Sequence, residues 1–573
     1  MNEQKESFRI KDLPSNRCAM RSSGKVDFGR LLLTSLLLIV GSLAEAATTY
    51  FVSSAGNDRD DGLTPDTAWK SLAKVSRQAL EPGDSVRFRA GDVFEGQLTI
   101  SSSGTADAPI QITRFGEGKK PLLMGGNGRR GAPVATILVE DQDNLAISGL
   151  EIRNFRKRSK DNVPDEDAYG ILIRNNGKRS LSGFELHDLV VQDVYPIKRR
   201  RMFNRNTVTG IRFETLPPKT ADKAVNTSDI FLHANVIRFT GRFGIAVRHR
   251  ASNLTPLRGQ PMDFDHNVRI VNNLCEDLGG SCVLLNGVWS GLLESNTFLR
   301  SGSLHNQALS VSRGSGAWFF RSRDIVAQYN AAVGSRGHND SSGLHVDFGN
   351  QNVLVQYNFF YDNEGYGTEI LGKNNNVIWR YNVSVGDGTR IPRIDRPEGI
   401  KSQYPGKTIF VSDFAAPKRI TSSNISIYNN TYVTAEGSSP QMELNGINVS
   451  LNNNAFVAIP NSRLGSRVLV VWNDEEGPAV AGNLFSGAVA PAFIALDSSP
   501  LRADIELPDN ATTLEQFAIP SEYRGIPISH PSFPAAGSGI FSHISEVPTS
   551  DIFGLPIDQS NPPLGAGVKD MRQ

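Results

Sequence analysis

A histidine, two carboxylic acids and two cations near the middle of the chain could share a proton-transfer site: His345, Asp347, Glu369, Arg313 and Lys373. An imidazole set among carboxyl groups is general acid–base equipment, and an arginine beside it can neutralise an anionic substrate. Two chemistries follow. In the first, a uronate polymer is cleaved by β-elimination. Arg313 pairs with the sugar carboxylate and lowers the pKa of the adjacent carbon acid, His345 removes the proton, and Glu369 orients the imidazole. Lys373 is the reserve base and His338, in SRGHNDSS, the acid. C-5 epimerisation shares the first step. In the second chemistry, Asp347 and Glu369 are the acid and base of an inverting glycoside hydrolase. Tyr366 and Tyr361 are further proton donors, although core or stacking roles suit them better.

Residues so far apart in sequence need a scaffold that stacks them, and the chain contains a repeat that would do so. An apolar run followed by Asn and more apolar residues recurs as IFLHANVI from Ile230, VRIVNNLC from Val268, IVAQYNAAV from Ile325, VLVQYNFFY from Val353, VIWRYNVSV from Val377, ISIYNNTYV from Ile425 and VSLNNNAFV from Val449. Asn358 and Asn382 are 24 residues apart, the shortest regular spacing. A unit of that length with period-2 alternation and no helix is one coil of a parallel β-helix, with equivalent strands ~4.8 Å apart. The asparagines should form a ladder between coils and take the left-handed conformation at their turn. Leucine-rich repeats and propellers carry other patterns.

Each coil then divides into strand a, the Asn turn, strand b and strand c. The c segments read GILIRN from Gly170, GIRFET from Gly210, GIAVRH from Gly244, SCVLLN from Ser281, ALSVSR from Ala308, GLHVDF from Gly343 and GTEILG from Gly367. Alternation sends Leu172 and Arg174, Arg212 and Glu214, Ala246 and Arg248, Val283 and Leu285, Ser310 and Ser312, His345 and Asp347, and Glu369 and Leu371 outward. Arg250, Arg313 and Lys373 follow just beyond. Large insertions flank only c, so a walled groove over c is where function should lie. His345 and Glu369 share a column at ~4.8 Å and should be hydrogen-bonded. Asp347 and Glu369 are diagonal neighbours, roughly 8 Å apart, within the inverting range. Arg174, Arg212, Arg248, Arg250 and Ser312, beside the loop Lys198-Arg199-Arg200-Arg201, are the expected contacts for an acidic polysaccharide or oligosaccharide. A solvated face, or a ladder of polar side chains satisfying one another, is the plainer alternative. A non-catalytic, tailspike-like glycan-binding module would instead set aromatic platforms in the groove, where these segments place Arg, His and acids.

Lys+Arg 60 against Asp+Glu 59 leaves a net charge of +1, so no nucleic-acid partner held by bulk charge is expected. With 53 Gly, turn formers are dense along the whole chain, which favours many short strands over a helical bundle. The run LLLTSLLLIV, Leu31 to Val40, is too short to span a bilayer and precedes Ala44-Glu45-Ala46. It reads as a secretory signal cleaved near Ala46, with Met20 the better start, so a secreted or periplasmic monomer without a stable membrane anchor is expected. Segments 1–46, 47–109, 110–491 and 492–573 are then signal, N-terminal cap with entry strands, β-helix and C-terminal capping tail. Cys275 and Cys282 suit either a local disulfide or two buried thiols.

Thr48 to Ile100, TTYFVSSAGNDRDDGLTPDTAWKSLAKVSRQALEPGDSVRFRAGDVFEGQLTI, resembles the entry segment of secreted right-handed parallel β-helix proteins of the pectin-lyase-like superfamily, notably polysaccharide lyases and epimerases. Gly537 to Val568 resembles their closing segment, although the usual acidic residue after the first glycine pair is missing. The resemblance implies an all-β, single-stranded right-handed solenoid with an N-terminal capping helix, its apolar face formed by Trp69, Leu72, Ala73 and Ala79. It also implies that some relatives use a Lys or Arg base on a neighbouring coil, the role given to Lys373. No cofactor is required by this reading. Asp58, Asp60 and Asp61 in GNDRDDG offer oxygen ligands for Ca²⁺, but the EF-hand glutamate is absent, and a polar turn explains them as well.

Overall fold

The computed structural model describes residues 47–127, 132–156, 167–197, 207–218, 224–250, 264–302, 313–337, 339–392, 404–415, 418–472, 479–508, 511 and 513–569. Its strands stack in three parallel columns. The a and c columns join into one 25-stranded sheet because Gln441–Asn452 runs through both without a turn, and the b column forms a 14-stranded sheet. Stacking begins when Thr49–Val52 pairs with Ser85–Arg89 and ends when Leu484–Ser486 pairs with Leu501–Arg502. Among the described residues, no helix is long and apolar enough to cross a membrane.

Period-2 alternation builds the interior. Ile171, Ile211, Ile245, Val283, Ala317 and Leu344 are register partners on successive c strands, and all are fully buried. Each large aliphatic side chain so buried contributes about 1.5–3 kcal/mol.

The asparagine ladder runs as expected. Nδ2 of Asn235 donates to Oδ1 of Asn273 at 2.9 Å, and the same bond repeats from Asn273 through Asn296, Asn330, Asn358, Asn382, Asn430 and Asn454 to Asn483, at 2.9–3.0 Å. One expectation is corrected. The left-handed residue is the one before each ladder asparagine: Ala234, Asn272, Ser295, Tyr329, Tyr357, Tyr381, Asn429 and Asn453 all have φ between 52° and 56°. This turn swings the next amide inward, where Asn358, for example, caps the carbonyls of Ala327 and Gln356.

The N-terminal helix is shorter than expected, Leu72–Arg77, and buries Leu72 and Val75. Ala73 and Ala79 are exposed, because an i, i+3 pair already spans the packed face of a helix this short. Asp58 accepts from the Lys70 and Ser71 amides and the Ser71 hydroxyl at 2.6–2.9 Å, and Asp61 accepts from Leu63 and Thr67. The GNDRDDG carboxylates thus brace the turn that leads into the helix. Cys275 and Cys282 are disulfide-bonded.

Two c rungs differ from the sequence reading. In SCVLLN, Val283 and Leu285 point into the core and Leu284 points out, since Val283 pairs with Ile245 and Leu284 with Ala246. The rung beneath Leu344–Val346 is Ala317–Phe320, not ALSVSR; residues 303–312, including Ser310 and Ser312, lie outside the described residues. Both segments alternate, and only the pairing distinguishes them. Segment 1–46, the basic loop at 198–201 and His338 also lie outside the described residues.

Candidate active site

The outward column of c strands reads Leu172, Arg212, Ala246, Leu284, Trp318, His345, Glu369 and Phe410, each the register partner of the next. The groove floor therefore carries two aromatic residues, Trp318 and Phe410, that the expected outward column did not contain. Trp318 stacks on the His345 ring at 5.7 Å and 4°. Its Nε1 donates to Oδ2 of Asp347 at 2.6 Å, and the Phe348 amide donates to Oδ1 at 2.8 Å.

His345 lies among three carboxyl groups. Asp340 Oδ2 is 4.0 Å from Nδ1, Asp347 Oδ1 is 4.0 Å from Nε2, and Glu369 Oε1 is 3.5 Å from Nε2. The expected His345–Glu369 hydrogen bond is not aligned: Nε2 and Oε1 are both buried without a partner. Glu369 is fully buried and accepts from the Ser342 hydroxyl. Asp340, which sequence reasoning passed over, keeps its side chain 13% exposed and forms an ion pair with Arg313 Nε at 2.9 Å. Its position in GHNDSSG, a loop before a c strand, was the available signal. Arg313 stands ahead of its rung, over the Trp318 ring at 5.7 Å. Lys373 is outside the cluster, exposed in the left-handed turn after its strand.

Environment separates the protonation states. Burial lowers His345 to about 4, Asp340 pulling it upward and Arg313 pushing it further down, so the ring is neutral near pH 7. Burial, and next the charge of Asp340, push Asp347 up to about 7 against the pull of Arg313 and the two N–H donors. Glu369 is raised well above the usual range by burial and then by Asp340. Tyr366 is buried between Arg390 and Lys407 and is raised by desolvation, while Tyr361 belongs to a b strand, away from the groove. Asp340, His345 and Glu369 each offer one atom within 4.8 Å of the others, the one group among the described residues with metal-ligand spacing.

The arginine column is largely self-neutralised. Glu214 lies 3.4 Å from Arg174, 2.9 Å from Arg212 and 3.0 Å from Arg250. Burial alone would raise it, but these cations hold it at about 2. Arg212 is buried under Tyr169, which corrects its expected place as a surface contact. Outward alternation brings Arg212 and Glu214 onto one face, and their mutual attraction folds both down.

No family model matches the chain. Lacto-N-biosidase of Bifidobacterium longum subsp. longum is 28% identical over 477 residues, covering 68% of this chain and 29% of that protein. Alpha-1,3-galactosidase A of Akkermansia muciniphila is 29% identical over 121 residues, 19% of this chain and 18% of that protein. The chain thus spans less than a third of the length of these curated relatives. The crystal structure of GH136 lacto-N-biosidase from Eubacterium ramulus superposes with a TM-score of 0.52 at 22% identity, over 80% of this chain and 68% of that one. Stacked parallel columns, an internal asparagine ladder and this superposition make the chain, by fold, a parallel β-helix protein.

Proposed function

We propose that the chain is a secreted glycoside hydrolase that cleaves an oligosaccharide or polysaccharide with Asp340 and Asp347. The observation that carries this reading is the pair of carboxyl groups set against opposite nitrogens of one buried, neutral imidazole, Asp347 pushed up to about 7 by burial and Asp340 held in an ion pair with Arg313. Asp340, ion-paired with Arg313, is the ionised member. Asp347 keeps its proton up to about pH 7 and is the member that gives it to the leaving oxygen. His345 stands between the two without titrating, and Glu369 on the next rung lies 3.5 Å from its Nε2. The sequence relatives named lacto-N-biosidase and alpha-1,3-galactosidase favour hydrolysis of a glycosidic bond over elimination. Elimination also needs a cation beside the base to meet a uronate carboxylate. Arg313 is instead paired with Asp340, and Lys373 is exposed in the turn after its strand.

The test is hydrolysis of a glycan panel by D340N and D347N. Each should lose about 10²–10⁴-fold in turnover, the range of general acid–base catalysis. On an aryl glycoside whose leaving group needs no proton, D347N should recover activity and D340N should not. Recovery by D340N instead reverses the two roles. Unsaturated uronate products from the wild-type protein, or full activity in both variants, overturn the proposal.

A further inference from the structure

Upstream of the carboxyl groups, three of four neighbouring guanidinium groups share two carboxylates. Glu214 serves Arg174, Arg212 and Arg250, and Glu140 serves Arg174 again at 3.2 Å. Arg248 is the register partner of Glu214 on one side and of Asn286 on the other, yet among the described residues no carboxylate pairs with it. Its Nε is buried and has no hydrogen-bond partner, while the side chain as a whole stays half-buried. Burial and the charges of Arg212 and Arg250 lower it to about 10, so it remains a cation that neighbouring cations repel. A partly desolvated guanidinium in such a field has most to gain from an anion arriving from solvent.

The groove between Arg248 and the carboxyl groups suits a sugar chain. Asn286 and Phe320 continue the Arg248 column, and the next rung brings Asp347, whose amide donates to Phe319. Three rungs separate the two sites, about 14 Å at the usual strand spacing. The floor along that path is Ala246, Leu284 and Trp318 with Phe243 beside them, an apolar strip for sugar faces. We propose that the Arg248 end of the groove is an anion subsite, and that the preferred glycan carries a carboxylate or sulfate a few sugar units from the bond at Asp340 and Asp347. This rests on the hydrolase reading for the position of the cleaved bond but not for the subsite itself.

The experiment measures binding apart from cleavage. Matched oligosaccharides, uronate-containing against carboxyl-reduced and sulfated against desulfated, are titrated calorimetrically into the full chain at low and high salt. Reducing ends are assayed in parallel. At least one acidic member should bind ~10-fold or more tighter than its neutral counterpart, as expected for a charge-assisted bond, and salt should shrink the difference. Arg248→Gln should abolish the preference, and Arg248→Lys, which keeps the charge, should retain part of it. Equal binding within both pairs, no binding by any member, or a preference that survives Arg248→Gln overturns the subsite. Acidic preference without new reducing ends overturns the hydrolase instead and leaves the subsite standing.

Discussion

The indole of Trp318 reaches across one rung of the β-helix to donate to Asp347 at 2.6 Å, while its ring lies parallel to His345 at 5.7 Å. One side chain thus fixes both a carboxyl group and the imidazole beside it. Trp318→Phe preserves the stacking and removes the donor. The loss of a hydrogen bond to the protonated acid, about 0.5–1.5 kcal/mol, should lower kcat by roughly 2–10-fold. The Asp347 titration should also move upward, because the lost donor favoured the ionised form. Steady-state kinetics across pH checks both. Unchanged kcat and an unchanged profile would separate Trp318 from the chemistry.

Activity should fall as pH rises through about 7, where Asp347 loses the proton needed by the leaving group. His345, lowered to about 4, stays neutral throughout that range and should add no inflection there. In D347N the upper limb should vanish on substrates that retain measurable turnover. An upper limb near pH 7 that persists in D347N assigns it to another group.

The same carboxyl group links pH to stability. Its folded pKa, about 7, lies above the unfolded value near 3.8, so its contribution is fully present below about pH 4 and is lost as pH rises through 7. D347N removes that dependence. The melting temperature of D347N relative to wild type should therefore rise between pH 4 and pH 8, as read by calorimetry. A constant difference would show that Asp347 titrates normally.

Chelation should leave activity unchanged. Asp340 already has Arg313 at 2.9 Å and Glu369 accepts from Ser342, so protein groups already engage both carboxyl groups of the three residues with metal-ligand spacing. Assays after exhaustive dialysis against EDTA, with and without added Ca²⁺ or Zn²⁺, test this. Loss on dialysis with recovery on adding one of the ions would make the cluster a metal site.

Removing one ladder asparagine should weaken the solenoid more than its size suggests. Asn358→Ala strands the carbonyls of Ala327 and Gln356 and the amide of Asn330, all buried. At about 1–3 kcal/mol for each unsatisfied group, the loss in urea unfolding should exceed ~3 kcal/mol. Asn376→Ala, whose amide bonds to Asn352 at the outside of a coil, should cost far less.

The sequence alone determined the solenoid, because each coil must repeat the same period-2 alternation and the same inward asparagine to stack on its neighbour. It also placed Glu369 one rung above His345, since residues at equal positions in successive coils meet in register. Three features waited for the tertiary structure. Ala317–Phe320 and ALSVSR alternate equally well, so only hydrogen-bonded pairing could put Trp318 beneath His345. Asp340 comes from a loop, where no periodicity says which way a side chain points. The arginine column was legible as positive charge, but Glu214 binds three of its members and leaves Arg248 without a carboxylate partner among the described residues, a distribution set by distances of 2.9–3.4 Å that residue types do not encode.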